Sequence, residues 1–260
     1  MKKFFSFAAF ALLASAMTFS LSACRDKDND DAAANNDSGS QNQTEDSLTP
    51  EGRAAVAIDL GLPSGTKWAD RNIGADKPET TGLYFAWGET AEKNIYSWNT
   101  YLWGDYINQL TKYCNKSENG KDGYTDVENP SIGKELTELL PDDDVAIKKW
   151  GGKWIMPTLA QFEELIANTN NVWVEDYNGT GISGYKFTNK NNASKFIFLP
   201  ATGYRYDDSY ASVGSYGDYW SRSFELSYPY HAEYLYFYNG GVGVNMYYRY
   251  SGRTVRPVQK

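Results

Sequence analysis

The pattern of apolar and polar positions divides the chain into three regions. Phe4–Leu21 is almost continuously apolar, with Ala and Ser interspersed. Arg25–Gly52 has no aromatic residue and one large aliphatic residue, Leu48, so it buries too little apolar area to offset the entropy of ordering. From Arg53 onward, short apolar runs alternate with Gly, Asn and Asp, as in a folded domain. The predicted regions are a leader (1–23), a disordered acidic tether that begins with Cys24 (24–52), and a folded domain (53–260).

Two helices are predicted in the middle of the domain. Val145–Trp150 follows a run of acids and precedes two glycines, and acids favour the start of a helix while Gly favours its end. A second helix is predicted after Thr158, which stands three residues before Gln161 in the spacing of a capping box. The apolar residues that follow lie on one helical face: Leu159, Phe162, Leu165 and Ile166.

The remaining pattern predicts short strands and loops. Hairpins are expected where apolar runs flank turn residues, at Tyr185–Thr188 with Phe196–Leu199 and at Glu233–Tyr238 with Val242–Tyr248. Further short strands are expected at Val56–Leu60, Thr66–Ala69, Leu83–Trp87 and from Thr254. Ile95–Gly123 has no clear period and is expected to be irregular. A single α+β domain is the simplest account of this order of elements.

Composition and charge exclude several classes of function. Lys and Arg total 25 against 33 Asp and Glu, so the formal net charge is −8 and no nucleic-acid partner is expected. Eight of these acids and two of the bases lie in Arg25–Gly52, which makes the acidity mainly a property of the tether. The single histidine, His231, and the two cysteines, Cys24 and Cys114, argue against a zinc site, a Cys/His nucleophile pair or a disulfide scaffold.

The leader ends in a motif with a chemical meaning. Lys2 and Lys3 precede the apolar run, and Leu21–Cys24 resembles the lipobox of bacterial lipoproteins. The resemblance implies that Cys24 receives a diacylglycerol, that the chain is cut before it, and that the lipid anchors the protein to a membrane. The alternatives are an ordinary signal peptide with a chance cysteine, or a retained membrane helix of near-minimal length.

The tether carries signals for location. Asp26–Asp31 resembles the surface-export signal of Bacteroidota lipoproteins, which predicts an outer membrane lipoprotein at the cell surface, with the periplasmic face as the alternative. Asp46–Leu48 is similar to an O-glycosylation motif of that phylum. As a flexible chain, Arg25–Gly52 would reach roughly 30 Å.

Six stretches between Val56 and Val258 support a family assignment: Ile58–Ala69, Tyr84–Thr90, Trp150–Thr158, Leu199–Arg205, Gly217–Ser223 and Val255–Val258. Together they resemble the Fibrobacter succinogenes major paralogous domain, a family that is common in Bacteroidota lipoproteins and similar to the formylglycine-generating-enzyme and C-type-lectin-like folds. The resemblance implies an α+β, C-type-lectin-like domain with a small twisted antiparallel sheet, two helices and long loops. It also implies that four motif tryptophans are core residues: Trp68, Trp87, Trp154 and Trp220.

The residues that the related folds use for chemistry are not matched here. An oxidase of the formylglycine-generating type needs a Cys pair, and the domain has Cys114 alone. The Pro-containing acid/amide tripeptide and the Trp-Asn-Asp stretch of calcium-dependent lectins are also missing, so no metal and no cofactor are expected. The alternative is a calcium site at Asp142–Asp144 or Asp207–Asp208. We therefore expect a protein that is not an enzyme. The alternatives are a structural subunit of a surface assembly or pilus, and a glycan hydrolase or lyase using Asp and Glu, with Asp218 and Glu225 as a conceivable carboxylate pair.

The segment Tyr204–Tyr250 is the most informative about binding. It contains 13 of the 21 tyrosines, interleaved with Ser, Gly, Asp and Arg, a composition typical of rigid binding surfaces for a glycan or a protein ligand. The predicted binding residues are Tyr204, Tyr206, Asp207, Asp208, Tyr210, Tyr216, Arg222, Tyr228, Tyr230 and Arg249. Two alternatives remain: strand tyrosines that merely cover a sheet face, and a binding site in the irregular segment around Trp98–Tyr113.

Overall fold

The computed structural model describes residues 48–126, 128–129 and 134–259, which belong to one compact unit, Asn42–Lys260. The predicted signal peptide, Cys24, the acidic run Asp26–Asp31 and most of the predicted glycosylation motif lie outside the described residues. Within the described ranges, no helix combines the length and the apolar character needed to cross a membrane.

The described residues contain three α-helices, α1 (Pro50–Ala54), α2 (Val145–Trp150) and α3 (Leu159–Asn168). Both helices predicted from the sequence are confirmed, and each is capped by a side chain. Asp144 accepts hydrogen bonds from the first amides of α2. Thr158 and Gln161 form the predicted capping box of α3, which satisfies two backbone donors at its start.

The short helix α1 belongs to a segment that was assigned to the tether. The Thr49 amide donates to the Trp150 carbonyl at 2.9 Å, and the Trp154 indole donates to the Gly52 carbonyl at 3.0 Å. A Cβ at Gly52 would lie 2.2 Å from the Trp150 carbonyl oxygen, so only glycine fits this approach. Leu48–Gly52 therefore pack against the domain, and the folded part begins earlier than residue 53.

The strands form several small antiparallel sheets. One sheet joins β1 (Ala57–Asp59), β2 (Lys67–Ala69) and β13 (Val258–Gln259), and another joins β5 (Thr169–Val174), β6 (Gly184–Asn189) and β7 (Phe196–Pro200). Two-stranded pairs are formed by β3 (Glu128–Asn129) with β4 (Lys134–Glu135) and by β8 (Tyr204–Tyr206) with β9 (Ser209–Ala211). The longest strands make the third three-stranded sheet: β10 (Tyr216–Phe224), β11 (His231–Tyr238) and β12 (Gly241–Tyr248). This is a mixed architecture with few helices, compatible with the expected α+β class.

Both predicted hairpins are confirmed, as β6–β7 and β11–β12. The strand expected at Leu83–Trp87 is not formed. Its amides at 83, 85 and 87 donate to three carbonyls that do not belong to one neighbouring strand, those of Ile73, Arg253 and Arg249. The last strand begins at Val258 rather than at Thr254. The irregular segment Ile95–Gly123 contains two short 3₁₀ turns, Trp98–Thr100 and Lys121–Gly123.

The core forms on both sides of the β10–β11–β12 sheet. Successive residues of a strand point to opposite faces, and one face of this sheet places Leu235 and Phe237 in a cluster with Phe162 and Leu165 of α3. The four motif tryptophans are fully buried, which confirms them as core residues: Trp68, Trp87, Trp154 and Trp220.

Candidate functional site: a tyrosine-lined cleft

The second face of the β10–β11–β12 sheet is lined with tyrosines. Tyr216 pairs with Tyr238, and Asp218 pairs with Tyr236, so these four side chains share one face. On β12, Gly243 lies opposite Tyr236. A Cβ at Gly243 would come within 3.1 Å of the Tyr236 ring, so glycine leaves this ring room against the edge strand.

This face forms the floor of a cavity of about 590 Å³. Six of its lining residues are tyrosines: Tyr204, Tyr216, Tyr234, Tyr236, Tyr238 and Tyr247. The other four are polar: Ser212, Asp218, Asn245 and Arg253. A second cavity of about 400 Å³ shares Tyr204 and Tyr247 with the first and continues to the β8–β9 hairpin, where it is lined by Tyr206, Asp207, Asp208, Ser209 and Ala211. We call the two cavities together the tyrosine cleft.

Arg253 is buried among the aromatic rings of the first cavity. Its guanidinium carbon lies 4.1 Å from the centroid of the Tyr234 ring and 4.9 Å from that of Tyr247. A two-way backbone pairing with Phe85 holds the residue, and one guanidinium nitrogen donates to the Ser251 hydroxyl. Its Nε atom is buried and has no hydrogen-bond partner in the described part of the chain. Such cation–ring stacking orients the guanidinium without using all of its donors.

Asp218 is the charged counterpart of Arg253 in this cavity. It is 5% exposed. Within the described residues, no group donates a hydrogen bond to its carboxylate. Burial raises the pKa of Asp218 to about 6, although the positive charge of Arg253 opposes the shift. Buried polar groups are normally paired, so an unpaired carboxylate and an unpaired guanidinium nitrogen in one cavity mark a candidate functional site.

The side chains of the cleft offer complementary kinds of contact. Asp218 accepts hydrogen bonds, Arg253 donates them, and the tyrosine hydroxyls do both. The ring faces provide flat apolar area at low entropy cost. Asp218 is the single carboxylate among the described residues of the first cavity, since Asp207 and Asp208 lie exposed in the second. No group of His, Cys, Asp and Glu in the described ranges is arranged to hold a metal ion.

Five predicted binding residues line the cleft: Tyr204, Tyr206, Asp207, Asp208 and Tyr216. Tyr210 belongs to the same β8–β9 hairpin but lies outside both cavities. Its ring packs edge-on against Tyr84 and lies 4.6 Å from the Arg205 guanidinium. Neighbouring tyrosines of one hairpin thus have different surroundings.

The two arginines predicted to bind ligand have structural roles, and those predictions are corrected. Arg249 is fully buried, stacks over Trp87 at 4.7 Å and donates to the carbonyls of Tyr113 and His231. Arg222 donates to the Leu139 carbonyl at 2.7 Å. It also forms ion pairs with two acids, Glu138 and Asp144. Both guanidinium groups join loops to the core, and neither lines the cleft.

Tyr228 and Tyr230 form a separate group with His231 and Tyr248, outside the two cavities. His231 is half-buried in this group. Burial and the charge of Arg249 lower the pKa of His231 to about 4, so the imidazole is neutral at physiological pH. These tyrosines are part of an aromatic cluster and not of the candidate site.

Asp218 and Glu225 do not form a pair, because they line different cavities. Glu225 lies with Glu233 in a small cavity of about 170 Å³ beside the start of α3. Burial and the nearby acids Glu225 and Glu163 raise the pKa of Glu233 to about 7. Cys114 is buried and its thiol donates to the Lys116 carbonyl, in agreement with a buried small residue.

Most of the cleft lies outside the predicted binding residues. Asp218 is predicted only as a possible carboxylate partner of Glu225, and the other cleft residues outside the predicted set are Ser209, Ala211, Ser212, Tyr234, Tyr236, Tyr238, Asn245, Tyr247 and Arg253. The spacing of two between the β11 tyrosines was a usable signal, since it places all three on one face of a strand. It was interpreted as covering of a sheet face, and nothing local in the sequence indicated that Arg253 lies beneath it.

No family model, curated protein or solved structure matches this chain.

Proposed function

We propose that this protein is a non-catalytic binding module that takes its ligand in the tyrosine cleft. The observation that carries the proposal is a cavity lined by six tyrosine rings and two buried groups of opposite charge. Arg253 has a buried Nε without a hydrogen-bond partner in the described residues, and the Asp218 carboxylate accepts no hydrogen bond from them. The volume of the first cavity, about 590 Å³, lies within the usual range of about 300–1,000 Å³ for ligand sites. The ligand would be a glycan or a protein segment.

The rigidity of the cleft supports binding. Its rings stand on β8, β10, β11 and β12, and Arg253 is held by Phe85, whose carbonyl also accepts a hydrogen bond from the Trp220 indole at 2.9 Å. Tyrosines on strands lose little further freedom when a ligand binds. Phe85 and Trp220 both belong to the stretches that resemble the Fibrobacter succinogenes major paralogous domain, and we propose the C-type-lectin-like fold of that family for this domain.

The number of carboxyl groups in the first cavity favours a binding function over glycan hydrolysis. A glycosidase needs two carboxyl groups about 5–9 Å apart, one of them kept protonated by its environment. In the first cavity, Asp218 has no second carboxylate among the described lining residues. Turnover of a polysaccharide by the purified protein would contradict the proposal.

We further propose that the module is displayed on the outer membrane, most simply at the cell surface, through a lipid on Cys24. The support is the lipobox-like Leu21–Cys24 and the acidic run that follows. Mass spectrometry of the membrane-extracted protein should find an acylated N-terminal Cys24. In Cys24→Ala the acyl mass should be lost, and the protein should leave the membrane fraction.

The binding proposal is tested with two matched pairs of exposed tyrosines. Tyr216 and Tyr238 line the cleft, whereas Tyr210 and Tyr228 are at least as exposed but lie outside it. Screening the full-length protein against glycan and protein arrays should give a ligand whose affinity falls at least tenfold in the Tyr216→Ala/Tyr238→Ala variant. The Tyr210→Ala/Tyr228→Ala control should bind normally, and both variants should keep the parental melting temperature. Equal binding by all three proteins would place the site elsewhere, for example near Trp98–Tyr113.

A further inference from the structure

The charges of the first cavity favour a ligand without net charge. Among its described lining residues, Asp218 and Arg253 are the charged side chains, and both are at least nine-tenths buried. Charge interactions are strong where water is excluded. A cationic ligand would meet Arg253 as well as Asp218, and an anionic ligand would meet Asp218 as well as Arg253, so neither ion gains a net attraction from the pair.

The hydrogen-bonding groups favour hydroxyls. A carboxylate only accepts and a guanidinium only donates, so a partner that serves both must donate at one point and accept at a neighbouring one. Each hydroxyl does both, and two hydroxyls on adjacent ring carbons present this combination in a fixed geometry. Asn245 and the tyrosine hydroxyls of the cavity supply further groups that can do either.

The rings favour a molecule with flat C–H faces between its hydroxyls. Tyr216 and Tyr238 are stacked with ring centroids 5.3 Å apart at the cavity edge, each with part of its surface exposed. The cleft also continues past Tyr204 and Tyr247 into the second cavity, where Asp207 and Asp208 offer exposed acceptors to a second unit of a chain.

Resting on the proposed function, we propose that the ligand is a neutral oligosaccharide: adjacent hydroxyls of one sugar ring hydrogen-bond to Asp218 and Arg253, and its C–H face stacks on cleft tyrosines. A protein segment is disfavoured because a stable protein interface uses about 800 Å² of surface per partner, and the unpaired polar groups here are confined to a cavity.

The test compares probes that differ only in charge or in a single hydroxyl. Full-length protein is screened on an array of neutral oligosaccharides, the same backbones carrying uronic acid or free hexosamine units, and cationic, anionic and neutral peptides. Binding is expected for neutral oligosaccharides. Titration calorimetry with deoxy analogues of the strongest binder should identify two adjacent hydroxyls, removal of either of which lowers affinity at least tenfold.

Two carboxylate variants provide the matched control. Asp218→Asn keeps the shape of the side chain but replaces one of the two acceptor oxygens of the carboxylate with an NH2 donor. This variant should lower the affinity for the oligosaccharide at least tenfold. Glu233→Gln alters another partly buried acid on the opposite face of the same sheet, outside the cleft, and should bind as the parent does. Both variants should remain folded by circular dichroism.

The outcomes separate the two proposals. Selective binding of a peptide or a charged sugar that is lost in Tyr216→Ala/Tyr238→Ala would overturn the oligosaccharide inference and leave the proposed function intact. If a neutral oligosaccharide binds with the parental affinity to both Tyr216→Ala/Tyr238→Ala and Asp218→Asn, the cleft is not the binding site and both proposals are contradicted. Lack of binding to every neutral oligosaccharide on the array would overturn the present inference.

Discussion

The two faces of the β10–β11–β12 sheet differ although their residues alternate along the same strands. On one face, Leu235 and Phe237 are fully buried against α3. On the other, Tyr236 and Asp218 line an open cavity. Tyr219, on the packed face, donates its hydroxyl to the Pro200 carbonyl at 2.7 Å, whereas no hydrogen bond to the Tyr236 hydroxyl is formed within the described residues. Residue type alone therefore does not distinguish a tyrosine packed against α3 and β6 from a tyrosine that lines the cavity; the face of the strand does.

The largest expected effect is on the packed face. Phe237 is fully buried and its ring contacts those of Tyr185 and Tyr219. Phe237→Ala should lower the free energy of unfolding by about 3–5 kcal/mol, because it removes a large apolar group and leaves a cavity. Tyr238→Ala, one residue away on the cleft face and 39% exposed, should cost less than about 1 kcal/mol. Urea unfolding of both variants checks this; equal losses would mean that the Tyr238 ring is also part of the core.

The next effect is a gain in stability. Burial raises the pKa of Asp218 to about 6 in the folded protein. The folded state thus binds this proton more tightly than the unfolded chain does, so the group destabilises the fold as pH rises through this range. Asp218→Asn should therefore raise the free energy of unfolding near pH 7.5 by about 2–3 kcal/mol, at about 1.4 kcal/mol per pKa unit. By pH 4 the gain should fall below about 1 kcal/mol, because the parent carboxyl is then protonated in the folded state.

Unfolding experiments on parent and variant at both pH values isolate the contribution of Asp218. Glu233, whose pKa is also raised, makes the stability depend on pH as well, but it is present in both proteins and its effect cancels in the difference. A variant that is less stable than the parent at pH 7.5 would show that Asp218 serves the fold. A gain in stability combined with loss of ligand would show a charge kept for binding at a cost to stability.

Local signals made part of this fold predictable. The capping box of Thr158 and Gln161, the acids before α2 and the turn residues of the two hairpins act within a few positions of one another, and the structure confirms these elements. Leu83–Trp87 has the composition of a strand, but its partners come from separate segments, and a sequence pattern does not encode which distant carbonyl an amide reaches.

Only part of the candidate site was predictable. The abundance of Tyr, Gly and acids between Tyr204 and Arg222 predicts binding there, and the structure places Tyr204 and Tyr206 of β8, Asp207, Asp208 and Tyr216 of β10 in the cleft. Arg249 and Arg253 are close in sequence and both are buried, yet only Arg253 lines the cleft. Their roles depend on whether the guanidinium meets the carbonyls of Tyr113 and His231 or the rings above the sheet, which are contacts between distant parts of the chain.

A smaller effect compares the same substitution on the two faces. Tyr219→Phe removes a buried donor to the Pro200 carbonyl and should lower the free energy of unfolding by about 1 kcal/mol. Tyr236→Phe should leave the stability unchanged within about 0.5 kcal/mol, since its hydroxyl faces the cleft. Thermal and urea unfolding measure both. A loss in Tyr236→Phe equal to that in Tyr219→Phe would mean that the Tyr236 hydroxyl also stabilises the fold.

The smallest effect tests the boundary of the cleft within one hairpin. Tyr206 on β8 lines the second cavity, and Tyr210 on β9 does not, although both are largely exposed. If the ligand extends past Tyr204 and Tyr247 into this cavity, Tyr206→Ala should weaken binding by about 1 kcal/mol, or roughly fivefold in Kd. Tyr210→Ala should leave Kd unchanged, because its ring is engaged by Tyr84 and Arg205 outside the cavity. Titration of each single variant with the same ligand decides between two extents of the site. A fivefold loss in Tyr206→Ala alone places the ligand across both cavities, whereas unchanged affinity in both variants confines it to the cavity of Asp218 and Arg253.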